Sequence, residues 1–106
     1  MPFNLDKISE FFRTGNYSIT THGYEELDND GITIEKLEYA IGNDDPEIIE
    51  IYPDDPRGES CLVIGWFEPD LPIHVCLGMS VAKPEIITAY RPSSIKFRPP
   101  DFKKRR

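Results

Sequence analysis

The apolar pattern of this chain changes period once, near Glu47, and that change restricts the fold more than any other feature. Before it, apolar residues recur at helical spacing in three short segments. After it, they fall into the β-rich runs "EIIEIY", "SCLVIGWF", "IHVCLGMSV" and "EIITAY". Only "PDDPRGE", "EPDLP" and "AKP" separate these runs, connections that suit an antiparallel meander rather than crossovers. Helices first and sheet afterwards give an α+β domain, with N-terminal helices packed on one face of a four-stranded antiparallel sheet.

The helical segments carry their own punctuation. In "PFNLDKISEFFRTG", Asn4 is placed to cap, Phe3 and Ile8 occupy the two positions of a hydrophobic staple, and Gly15 supplies the stop. "THGYEELDNDG" follows a brief β-like "YSIT", with Thr21 as its expected cap and Gly31 after its end. "TIEKLEYAIGN" starts on Thr33, sets Ile34, Leu37, Ala40 and Ile41 on one stripe, and ends at Gly42 and Asn43.

Among the strands, "SCLVIGWF" is apolar on both sides and suits a strand covered on both faces. The next run separates cleanly. Ile73, Val75, Leu77, Met79 and Val81 form one face, while His74, Cys76, Gly78 and Ser80 form the other. If the first face meets the helices, His74 looks out across a shallow floor of small residues, half-exposed. The register of the last hairpin decides whether Tyr90 or Arg91 shares its face, and the pattern leaves both open.

A chain of 106 residues suits one domain. Residues 1–92 form that domain and 93–106 a basic C-terminal tail. From Arg91 onward, seven cations against Asp101 make +6, which leaves −13 for the rest of the net −7. The acidic balance argues against coating nucleic acid by bulk charge. The tail could fold onto the chain's own surface, meet an acidic partner or follow a phosphate backbone; a solvated terminus is the ordinary alternative. The apolar runs are too short for a membrane span, and the first residues lack a secretory pattern, so a cytoplasmic protein is expected. Cys61 and Cys76 sit in apolar runs without metal-ligand spacing, and read as buried thiols. A zinc site combining them with His22 and His74 matches no closed spacing, so no metal and no cofactor are expected.

The succession "TTHGYEELDNDGIT", "EIIEIYPDDPRGESCLVIGW", "PIHVCLG" and "EIITAYRP" resembles a small prokaryotic domain-of-unknown-function family grouped with RelE-like and MqsR-like toxin ribonucleases. Its members read approximately H-A-x-x-R-M-x-x-R-G-I-T, then YPDD, CLVLG, PLHVV and IITAYRP. The resemblance spans about residues 18 to 92 and carries over at His22, Gly31, Tyr52 to Asp55, His74, Tyr90 and Arg91. Where relatives show arginines this chain has Glu26 and Asp30, so either phosphate affinity is lost there or those arginines serve only the surface.

The resemblance implies a RelE-like fold and the toxin of a type II toxin–antitoxin pair, held by a zinc-finger antitoxin of the MqsA type. It further implies a metal-independent endoribonuclease that cuts free or ribosome-bound mRNA by 2′-OH attack. Such chemistry needs a base, cations for the phosphorane and an acid for the leaving oxygen. His74 is the expected acid or base and His22 the second proton carrier, with Tyr90 supporting and Arg91 on phosphate. Arg57, Lys96 and Arg98 are the expected substrate-binding cations. His22 at a helix start has an equally ordinary reading, a neutral ring bonding a loop carbonyl. The alternative function is a non-catalytic module whose acidic surface binds a protein.

Overall fold

The computed structural model describes residues 4–43, 46–69, 71–79 and 83–106. The staple residue Phe3, and Ser80, Val81 and Ala82 after the third β-rich run, lie outside them.

Asn4 caps α1 (Leu5–Arg13) by accepting from the Lys7 N–H at 2.9 Å, and the helix buries Ile8 and Phe12. Thr33 does the same for α3 (Ile34–Gly42), accepting from the Lys36 N–H at 3.2 Å, and Leu37, Ala40 and Ile41 are buried. Two contacts bind these helices into one layer. Arg13 donates to the Gly42 carbonyl at 2.7 Å, and Tyr17, stacked on Phe12 at 4.5 Å, donates its hydroxyl to Glu38 at 2.7 Å.

Between them, α2 (Thr21–Asn29) is capped by Thr20 and not by the expected Thr21. Thr20 has the extended backbone a cap requires, accepts from the Gly23 N–H at 3.0 Å and donates to the Ile87 carbonyl at 2.9 Å. That hydroxyl is therefore both a helix cap and a tie to the sheet.

The sheet has five strands and is mixed, which corrects the four-stranded antiparallel expectation. β1 (Ser18–Ile19), β2 (Glu47–Tyr52), β3 (Ser60–Glu68), β4 (Leu71–Gly78) and β5 (Glu85–Tyr90) lie in the order β1-β5-β4-β3-β2. β1 runs parallel to β5, and the other pairs are antiparallel. The reason is the edge of β5: its Pro84 and Ile86 carbonyls take the Ser18 and Thr20 N–H groups at 3.1 and 3.0 Å. The two-residue "SI" has no apolar period to announce this, because it is recruited by an edge presented from the other end of the chain.

Cys61 and Val63 of β3, Ile73, Val75 and Leu77 of β4, and Ile86 and Ala89 of β5 meet the helices in one core. α3 lies so close to β3 that a Cβ on Gly65 would run into the Ala40 carbonyl and stand 2.8 Å from Ile41 Cδ1. Gly65→Ala is expected to force α3 away from the sheet and cost about 1–3 kcal/mol, read as a lower urea midpoint at unchanged slope. An unshifted midpoint would contradict the close approach.

The opposite face carries the row Glu47, Ile64, His74 and Tyr90, in register across four strands. His74 on that face is fully buried, not half-exposed over a shallow floor, because residues 93–106 fold back across it. They double into two short limbs, with Arg98 N–H to the Lys104 carbonyl at 2.8 Å and Arg106 N–H to the Lys96 carbonyl at 3.0 Å. Among the described residues, no helix is long and apolar enough to cross a membrane.

Candidate functional site

His74 belongs to β4, whose alternation commits it to the face away from the helices, and the β4–β5 register pairs it with Tyr90 and not Arg91. Its Nε2 lies 2.9 Å from the Phe102 carbonyl, which can only accept, so Nε2 carries the proton. Nδ1 is then bare and accepts from the Tyr90 hydroxyl at 3.3 Å. The Phe97 ring meets the imidazole edge-to-face at 4.4 Å. Burial pushes the His74 pKa down to about 4, against which the Phe102 carbonyl and Glu50 pull upward, so the ring is neutral at pH 7. Burial likewise raises the Tyr90 phenol to about 12 and keeps it a donor.

Beside this pair, where β5 ends and residues 93–106 begin, lies a cleft of about 430 Å³. Tyr90, Arg91, Lys96 and Arg105 line it together with Thr88, Ser93, Phe97 and Glu26. Of the expected site residues it collects Tyr90, Arg91 and Lys96, with His74 behind Tyr90. No ion pair engages the Arg91 or Lys96 side chain among the described residues. The arrangement suits an anion: two uncommitted cations, two hydroxyls and a phenol whose proton is directed to an imidazole nitrogen.

His22 is not in the cleft. Its side chain is 63% exposed at the start of α2, with Nε2 3.5 Å from Glu26 one turn on. Arg57 is 65% exposed and folded onto its own turn, donating to both Asp55 carboxylate oxygens at 3.2 and 3.1 Å. The Arg57 hydrogen bonds, joined by one from Ser60 at 2.9 Å, hold Asp55 well below the usual carboxylate range. Arg98 is exposed and contributes backbone to the doubled segment rather than its guanidinium to the cleft.

The two acidic departures have definite positions. Asp30 accepts from the Arg91 N–H at 2.7 Å and anchors the end of β5, while Glu26 lines the cleft as its one carboxylate. Cys61 faces the core and Cys76 the opposite face, so the structure does not gather the four zinc-ligand types. Among the described residues, no three His, Cys, Asp or Glu side chains are arranged to hold a metal.

The residues that surround the site most closely were not singled out from the sequence. Arg105 forks onto Glu50 at 2.8 and 3.0 Å, and stands over the Phe97 ring at 4.8 Å. Lys103 pairs with Glu47 at 2.9 Å, and the Tyr52 hydroxyl donates to Glu50. Burial works to raise the Glu50 carboxyl, but Arg105 and Tyr52 outweigh it and hold it low. One signal was available: "FRPPDF" brackets a proline turn with two aromatic residues, an unusual pattern for a solvated end.

The family model described as a domain of unknown function, DUF4258, matches residues 19–91. No curated protein and no solved structure matches the chain.

Proposed function

The chain belongs to the DUF4258 family, and from that premise we propose a metal-independent endoribonuclease, the toxin of a toxin–antitoxin pair, acting at the cleft beside Tyr90. The observation that carries this reading is the convergence of Tyr90, Arg91 and Lys96 on one open cleft, with His74 hydrogen-bonded behind Tyr90. Arg91 and Lys96 take the non-bridging oxygens of a phosphodiester, where charge accumulates as the phosphorane forms. Tyr90 takes the ribose 2′-OH proton while passing its own to His74 Nδ1. The 2′-oxygen then bonds phosphorus, the P–O5′ bond breaks, and the 5′-oxygen takes a proton from water, leaving a 2′,3′-cyclic phosphate. His22, Arg57 and Arg98 do not line the cleft and have no part in this reading. A zinc-finger antitoxin of the MqsA type, covering the cleft, is the neutralising partner it calls for.

The test is cleavage of an oligoribonucleotide in the presence of a chelator. The expected result is a cyclic-phosphate product, roughly 100-fold slower with Tyr90→Phe and absent from a 2′-deoxy substrate. Joint Arg91→Ala and Lys96→Ala substitution is expected to weaken RNA binding and flatten its salt dependence. Unchanged cleavage by Tyr90→Phe would overturn the assignment.

A second reading, a non-catalytic protein-binding module, is favoured by one different observation: both nitrogens of His74 are already bonded inside the protein. Absence of RNA cleavage by every variant, the more open forms described below included, would put that reading first.

A further inference from the structure

We propose that residues 93–106 are an autoinhibitory strap, which closes the sheet face over His74 and must lift before RNA can engage the Tyr90–His74 pair. The identity of the competitor rests on the ribonuclease reading above; the closure does not.

The strap is held to the sheet by separate contacts of different chemistry. Phe97, 1% exposed, covers the imidazole, and the Phe102 carbonyl occupies Nε2. Arg105 is forked on Glu50 and Lys103 is paired with Glu47, both on strand β2 at the far side of the sheet. The strap therefore spans the sheet from β5 to β2 along the row that contains His74. Every group it covers, from Glu47 to Tyr90, lies inside the matched family segment, and the strap lies outside it. Its ion pairs are exposed to solvent on at least one side, and such pairs add little individually and weaken with salt. They are fastenings that a polyanion, competing for the same cations, is suited to release.

Closure also detunes the base. Under the strap, His74 faces Tyr90, Glu50 and Arg105 without solvent, and its basicity is depressed. Lifted, it would return toward the ordinary value of about 6.5, a better match to proton transfer at neutral pH. One movement would expose the pair and raise its basicity.

The test uses acylation of imidazole by diethyl pyrocarbonate on the full chain, read by mass spectrometry, with exposed His22 as internal reference. In the wild type, His22 is expected to react rapidly and His74 to be protected. Glu47→Gln with Glu50→Gln removes both ion pairs without adding a cation, and is expected to raise the His74 rate roughly tenfold while His22 is unchanged. Exchanging the charges of one pair, Glu50→Arg with Arg105→Glu, is expected to restore protection. Oligoribonucleotide cleavage should rise and fall with the His74 rate. Equal protection of His74 in wild type, Glu47→Gln with Glu50→Gln, and Arg105→Glu alone, all folded by circular dichroism, would overturn the strap and make the segment a fixed part of the fold. If His74 opens and RNA stays uncut, closure stands and the ribonuclease reading falls.

Discussion

Replacing Phe97 with alanine is expected to lower the unfolding free energy by about 3–5 kcal/mol, the range for truncating a buried phenylalanine. Phe97 stands in a segment whose composition reads as a solvated basic end, where substitutions ordinarily change stability by less than about 0.5 kcal/mol. Its surroundings say otherwise. One ring contact is the His74 imidazole at 4.4 Å, another is the Arg105 guanidinium at 4.8 Å, and 1% of its surface remains exposed. Alanine would leave a void above a buried, hydrogen-bonded histidine, and water entering it would compete for Nε2. Urea denaturation at pH 7 measures the change. Ile95→Ala is the control, since Ile95 is 83% exposed two positions away and should be near neutral. A loss below about 1 kcal/mol for Phe97→Ala would mean that the segment adds little to the fold.

Stability is also expected to fall steeply between pH 6.5 and pH 4, through one group. The unfolded chain protonates His74 near its ordinary 6.5 and the folded chain near 4. Between those values the unfolded state holds more protons, so lowering the pH favours it. The contribution is complete above the unfolded value and declines as pH falls through the window. From pH 7 to pH 4.5 the loss is on the order of 2–3 kcal/mol, at 1.36 kcal/mol per pKa unit. Glu50 and Asp55, both held below their usual values, lose their contributions only at lower pH. Denaturation curves at a series of pH values should show the slope in the wild type and its loss in His74→Asn, which has no titrating group there. A slope that persists in that variant would assign it elsewhere. The strap is the part of the fold exposed to this titration, because it seals His74 and depends on its Nε2 proton.

The helices were legible because their signals are local. Asn4 and Thr33 cap as read, each accepting from the N–H three residues on, and the apolar stripe of α3 faces the core. Thr20 shows where local reading stops. Thr20 and Thr21 are equivalent as caps in sequence, and the Ile87 carbonyl, 67 positions away, chooses between them. The same limit hid β1, whose parallel partner is supplied from the far end of the domain. In the candidate site, Tyr90 and Arg91 were found, but only the β4–β5 register decided that Tyr90 reaches His74 while Arg91 turns beside Asp30 and Gly31. Glu47 and Glu50 were read only as strand residues of an acidic body, and a carboxylate in a strand carries no mark of the cation that will reach it.

By itself, the amino-acid sequence determined the α+β class, the three helices with two of their caps, the inward face of β4 and the commitment of His74 to the opposite face. These follow from periodicities and capping rules that operate within a few residues. Only the tertiary structure decided what lies over His74. Arg105 and Glu50 are 55 positions apart, and their pairing depends on where a doubled chain lands on a completed sheet. A basic end with two phenylalanines is compatible with solvent, a partner or its own domain. The choice falls to shape and charge complementarity across that sheet face, which exists only once the strands have assembled.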